Sequence, residues 1–182
     1  MTAGPGTLDW RAATTGAELL AEPVARAVAQ LPRAGELIVA PIDPDLADTA
    51  AFCERYGVLP ADSANCVVIA GRRGDDVRYA ACVVLATTRA DVNGVVRRRL
   101  DARKASFAPM ADAVALSGME YGGITPVGVP ADWPILVDAA VLARDVVVIG
   151  SGLRRSKIAL PSAVLAELPG AEVVPGLAAV VA

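Results

Sequence analysis

Met119-Glu120-Tyr121-Gly122-Gly123-Ile124-Thr125-Pro126-Val127-Gly128 is the stretch on which the fold of this chain turns. Gly118 and the Gly122-Gly123 pair supply permissive backbone and Pro126 fixes one φ angle, so main-chain N–H and C=O groups here can approach a ligand closely. The same spacing also suits a tight connection between a helix and a strand, and the residues alone leave both readings open. No Gly-Lys-Ser/Thr follows, so this is not a Walker loop, and the glycines do not form a GxGxxG fingerprint.

Downstream, Ile135-Leu136-Val137-Asp138 and Val146-Val147-Val148-Ile149 read as strands. The second runs into Gly150-Ser151-Gly152-Leu153-Arg154-Arg155-Ser156-Lys157, where small residues sit beside three cations. Such a turn suits an anionic group or simply solvent. A strand over 157–160, a helix over 162–168 and a strand over 172–174 follow. Upstream, Cys66-Val67-Val68-Ile69-Ala70 and residues 79–85 flank the turn-rich stretch 71–76, the pattern of an antiparallel hairpin buried on both faces. Asp48 caps a predicted helix that ends at Tyr56, with Gly57 as its left-handed terminator. Asp91 begins another helix, carrying Val92, Val95, Val96 and Leu100 inward and Arg97-Arg98-Arg99 toward solvent or an RNA backbone. A short helix spans 109–116. Leu37-Ile38-Val39-Ala40 reads as a buried strand, and residues 1–36 as a helical extension in which Val24, Ala27, Val28 and Leu31 share one face. Hairpins mixed with short helices predict an α/β chain, its mixed and partly barrel-like β-sheet flanked by short helices, with the main domain over 37–182.

Composition narrows the chemistry. Among 182 residues, 54% are apolar and only 20% charged, enough for one well-filled core. The 17 basic and 20 acidic residues give a net charge of −3, so any RNA contact is local rather than a broad basic face. Aromatic content of 4% leaves few rings for stacking bases. The chain has no histidine, which excludes Ser-His-Asp and Cys-His nucleophile systems. Cys53, Cys66 and Cys82 form no CxxC pair and read as small buried hydrophobes, so neither a metal nor a disulfide framework is expected. Residues 1–10 carry no secretory pattern and no apolar run reaches membrane-spanning length, making a cytoplasmic location without a membrane partner the default expectation.

Several blocks together resemble the YbaK/EbsC family of aminoacyl-tRNA editing domains. They are Asp48-Thr49-Ala50-Ala51, Ala64-Asn65-Cys66-Val67, the 119–128 stretch, Val137-Asp138 and Gly150-Ser151-Gly152-Leu153-Arg154, in that order, covering roughly 38–174. The resemblance implies the YbaK/prolyl-tRNA synthetase-associated domain fold and hydrolysis of the ester that joins a wrong amino acid to the terminal adenosine of tRNA. It implies no cofactor. It places Gly122, Gly123, Ile124, Thr125, Pro126 and Gly128 along the amino-acid pocket, and Gly150, Ser151 and Gly152 in another wall. Asp138, at a strand end, would orient a group or cap the next helix. Water held by backbone groups, assisted by the ribose hydroxyl, would attack, with main-chain N–H donors stabilising the oxyanion. The implied partners are the 3′ end of aminoacyl-tRNA and an aminoacyl-tRNA synthetase. The leading residues, outside the resemblance, are a separate candidate surface for another protein or a second copy of this chain.

One position departs from the family. Its active members typically carry lysine where this chain has Asn65, which keeps a donor and an acceptor but loses the charge. A hydrogen bond to a charged group contributes roughly 1.5–3 kcal/mol, about one to two decades in binding or rate. Lys104 and Lys157 are the chain's two lysines, and Lys157, Arg154 or Arg155 is the expected substitute. Without a substitute, the expected function is a catalytically weak or silent binding module for an aminoacylated RNA end, a small ligand or a partner synthetase.

Overall fold

The structure, a computed structural model, describes residues 3–181. In chain order the strands are β1 (Arg11–Ala12), β2 (Ile38–Pro41), β3 (Ala64–Arg73), β4 (Asp76–Leu85), β5 (Thr88–Ala90), β6 (Lys104–Phe107), β7 (Ile135–Asp138), β8 (Val146–Gly150), β9 (Ser156–Pro161), β10 (Ala171–Val174) and β11 (Ala178–Val180). The helices are α1 (Glu22–Gln30), α2 (Thr49–Tyr56), α3 (Arg97–Arg99), α4 (Met110–Ser117), α5 (Ala139–Leu142) and α6 (Ala163–Ala166).

The hairpin β3–β4 is the spine. Its strands pair antiparallel from Ala64↔Leu85 to Arg73↔Asp76 and turn through Gly74-Asp75, with Gly74 at φ 62. Such a two-residue turn requires positive φ and suits the twist of the strands. The expected turn at 71–76 is therefore tighter, and the hairpin tip is exposed. Along β4, Ala81 and Val83 enter one apolar cluster while Ala80, Cys82 and Val84 enter another. This period-two division explains why the strand reads as continuously apolar.

β3 and β4 belong to the sheet ordered β10-β7-β4-β3-β6, in which β4, β7 and β10 run parallel. The second sheet, β1-β2-β9-β8, is antiparallel throughout. The main cluster fills the space between the sheets with Val39, Val83, Val137, Ile149 and Ile158, and is closed by α1 through Val24 and Val28. On the outer face of the second sheet, α2 packs Phe52 and Cys53 against Ala40, Val148 and Ala159. Phe52 is fully buried, which stabilises the fold by about 1.5–3 kcal/mol. The sheets touch at one isolated parallel bridge, Ser63↔Val148, so the arrangement curls toward a barrel without closing.

Two expectations meet a different arrangement. The sequence predicts a helical extension over residues 1–36. Of them, 22–30 form the α-helix, but β1 pairs with β2 and Trp10, 1% exposed, donates its indole N–H to the Pro5 carbonyl at 2.8 Å. Among the described residues of this stretch, Trp10, Leu19, Leu20, Val24 and Val28 are built into the core, where they find a partner for their apolar surface; residues 1 and 2 lie outside the described residues. The helix expected from Asp91 begins as a wide π-type turn at Val92–Val96, and only Arg97–Arg99 is α-helical. Asp91 binds the amides of Gly94 and Val95 with its own carboxylate, competing with regular helical pairing.

Candidate active site

Beyond the Ser63↔Val148 bridge, β3 and β8 form no further pair, and a cavity of about 480 Å³ lies between their continuations. Residues 63–68 and Val148, Ile149 and Gly150 form two of its walls. The start of α2, the junction of β6 with α4, and Tyr121, Gly122 and Ile124 complete it. A gap beside parallel strands that part company is a favoured ligand position in α/β sheets.

The two glycine runs build this site by backbone contact. A Cβ on Gly123 would lie 2.5 Å from the Leu153 carbonyl carbon, and one on Gly150 would lie 2.5 Å from the Gly123 oxygen and 2.7 Å from that of Ile124. Hydrogen bonds lock the approach, with Gly152 N–H donating to Gly123 O at 2.7 Å and Glu120 N–H donating to Gly152 O at 2.8 Å. Arg154 adds a brace: its guanidinium donates to Tyr121 O at 3.3 Å and Pro44 O at 3.1 Å, tying the Tyr121 side of the cavity to the turn that precedes α2. The amides of Gly122 and Ile124 donate to nothing among the described residues and belong to residues that line the cavity.

Lys157 is the cation of the cavity lining. β9 pairs it with Gly150 of β8 on one side and Ala40 of β2 on the other. It is 8% exposed, donates to the Ala47 carbonyl at 3.0 Å, and sits 5.2 Å from the centre of the Phe52 ring. Burial pulls its ammonium down to about 8, against Cys53 and Asp48, which favour the charged form, while the positive charge of Arg154 adds to the lowering. One N–H is committed to Ala47, which leaves two donors for a ligand. Asn65, at the start of β3, accepts a hydrogen bond from Thr49 Oγ1 at 2.6 Å through Oδ1, and its Nδ2 donates to nothing among the described residues. Both residues line the cavity.

The structure thus brings together Asn65, Gly122, Ile124, Gly150 and Lys157. Gly123, Thr125, Pro126, Gly128, Ser151 and Gly152 stand behind the lining. Gly128 packs on Pro23, Ser151 bonds with Ser156 at 2.7 Å, and Thr125 Oγ1 is buried without a partner among the described residues. Asp138 is not among the lining residues. It closes β7 opposite Val174, where burial pushes its carboxyl up while the amides of Ala140, Leu177 and Ala139 pull it down. Arg155 donates to Glu18 O at 2.9 Å, and Lys104 is an exposed residue of β6. Of the arginine run, Arg99 pairs with Glu172 and Arg97 donates to Asn93 O at 2.7 Å. Thr49, Phe107 and Tyr121 also line the cavity, and sequence reasoning gave none of them a role in the site. The Asp48-Thr49 block carried the signal for Thr49, as a helix start facing Asn65.

The family model described as aminoacyl-tRNA editing domain matches residues 43–168. No curated protein matches the chain significantly. Among solved structures, the hypothetical protein APE2540 superimposes with a TM-score of 0.74 at 20% identity, covering 87% of this chain and 100% of its own. A proposed trans-editing enzyme for prolyl tRNA synthetase gives 0.69 at 22% identity, over 85% and 96% of the two chains. A scaffold protein from epitope backbone grafting by computational design gives 0.71 at 23%, over 85% and 95%. At these identities the likeness is one of fold. Because the family match spans well over half of the chain, in the same blocks that build the cavity, the chain belongs to the aminoacyl-tRNA editing domain family.

Proposed function

We propose that this protein is an aminoacyl-tRNA deacylase acting in trans, and that Lys157 supplies the cation that active relatives carry at the position of Asn65. The observation that carries the reading is a single cavity lined by a buried ammonium, the Thr49–Asn65 pair and two residues, Gly122 and Ile124, whose amides have no partner among the described residues. Its volume of about 480 Å³ suits an amino acid on its terminal nucleoside rather than an isolated side chain.

In this reading Lys157 and Asn65 Nδ2 hold the polar groups of the aminoacyl-ribose, and the amides of Gly122 and Ile124 receive the carbonyl oxygen as it becomes an oxyanion. Water adds to the ester carbonyl and the bond to the ribose oxygen breaks; one proton of the water ends on that oxygen, the other passes to solvent, and the amino acid departs as its carboxylate. No protein nucleophile is needed, in keeping with a chain that has no histidine. Donors held ready by rigid backbone act without reorganising during the reaction, and loss of one such donor in other enzymes costs about two to three decades in rate. The Gly123–Gly150 contact supplies that rigidity.

The test is hydrolysis of a panel of purified mischarged tRNAs by the full chain and by Lys157→Met. The expected result is cleavage of at least one member, reduced about 10- to 100-fold in the variant. If no member is cleaved above the uncatalysed rate while an active relative cleaves its own substrate in parallel, the hydrolase reading fails. Asn65 in place of lysine favours a second reading, a binding module without turnover, and activity gained only by Asn65→Lys would establish it.

A further inference from the structure

A second depression, of about 280 Å³, adjoins the cavity across the first residues of β3 and shares Asn65, Val67 and Phe107 with it. Its far side is formed by β5, including Thr88 and Arg89. Phe107 ends β6 between the two spaces and lines both, and the residue is 59% exposed although the chain has only two phenylalanines. Tyr121, also 59% exposed, stands on the rim of the main cavity. The Arg89 side chain makes no hydrogen bond or ion pair among the described residues, although acidic residues outnumber basic ones in the chain. An exposed ring and an unneutralised cation, both on a groove that leads out of the candidate active site, are unexplained by packing.

We infer that this depression seats the single-stranded 3′ end of the RNA, with Phe107 stacking on a base at the cavity mouth and Arg89 holding a backbone phosphate beyond it. The inference rests on the deacylase reading for the placement of the ester, since whatever fills the adjoining groove is then continuous with the group in the cavity. Charge selects the occupant: a polynucleotide carries a phosphate at each step, and Arg89 is the cation of the second depression. A flat aromatic face accepts any base, so the contact secures the strand without reading its sequence. The overall charge of −3 makes such a local contact necessary, because the surface as a whole does not attract RNA.

The experiment measures binding of an uncharged, fluorescein-labelled minihelix with a single-stranded CCA end to the full chain, by anisotropy at several salt concentrations. Phe107→Ala should weaken binding about ten-fold with the salt dependence kept. Arg89→Gln should weaken it several-fold and reduce the salt slope by about 0.7, the worth of one single-strand phosphate contact. Arg26→Gln, which removes the same charge from the exposed side of α1, should bind as the wild type does. The inference is overturned if the wild type does not bind, if F107A binds like the wild type, or if R89Q and R26Q behave alike. Because this RNA carries no ester, the two readings fail separately. Binding through Phe107 and Arg89 without cleavage of any mischarged tRNA sinks the hydrolase reading alone. Cleavage with an unchanged KM in F107A and R89Q sinks this inference alone.

Discussion

Replacing Lys157 with methionine separates a functional buried charge from a structural one. The ammonium is held at about 8 against an ordinary 10.5, a difference of roughly 2.5 at about 1.4 kcal/mol each, so keeping it charged costs the fold roughly 3 kcal/mol near neutral pH. Methionine fills a similar volume beside Phe52 and removes that cost, but leaves the Ala47 carbonyl without its donor, a loss of about 1–3 kcal/mol. These effects nearly offset, so K157M should unfold in urea within about 1–2 kcal/mol of the wild type. Deacylation should nonetheless fall about 10- to 100-fold, the worth of one charged hydrogen bond. The pH dependence has a definite sign. Between pH 8 and 10.5 the unfolded chain holds a proton on Lys157 that the folded chain has released, so this group makes the unfolding free energy rise with pH across that window and contributes no slope below it. K157M should lack the rise, and the ratio of wild-type to variant kcat/KM should shrink as pH passes 8. The reasoning is refuted if K157M loses 3 kcal/mol or more of stability while its folded fraction hydrolyses substrate at the wild-type rate.

Four further substitutions probe the remaining parts. If Lys157 supplies the cation as proposed, Asn65→Lys should leave kcat/KM within a few-fold, and a gain of ten-fold or more in tRNA hydrolysis would show that it does not. Gly150→Ala forces a methyl group against the Gly123 and Ile124 carbonyls and should cost about 1–3 kcal/mol by urea unfolding, together with most of the activity. Thr125→Val removes a buried hydroxyl without a partner and should raise stability by about 1 kcal/mol in a thermal melt; a drop would reveal a bound water or ligand at that oxygen. Trp10→Ala should cost about 3–5 kcal/mol by calorimetry, and a negligible loss would show that the leading residues are an appendage after all.

The elements legible in the sequence are those whose signal is local. Gly57 at φ 68 ends α2 as the glycine at 57 predicts, and the apolar runs at 135–138 and 146–149 become strands because both faces are covered. The strands that escaped notice are short and lie at edges: β6 is Lys104-Ala105-Ser106-Phe107, whose polar and small residues show no apolar run, and it is held by pairing with β3. Register was equally invisible, and it decides the site. Lys157 reaches the cavity because β9 sets it opposite Gly150, with its side chain on the same face as Ala159 and against Phe52. A shift of one residue would send it to the opposite face of the sheet. The glycine stretches announced themselves by composition, but their reason lay in each other, since Gly123 and Gly150 are small to let two distant backbones touch. Thus what a residue needs from its chain neighbours could be read, and what it needs from the facing strand could not. The cation of the site belongs to the second kind, and its place in the family pattern is therefore a poor guide to whether the site has one.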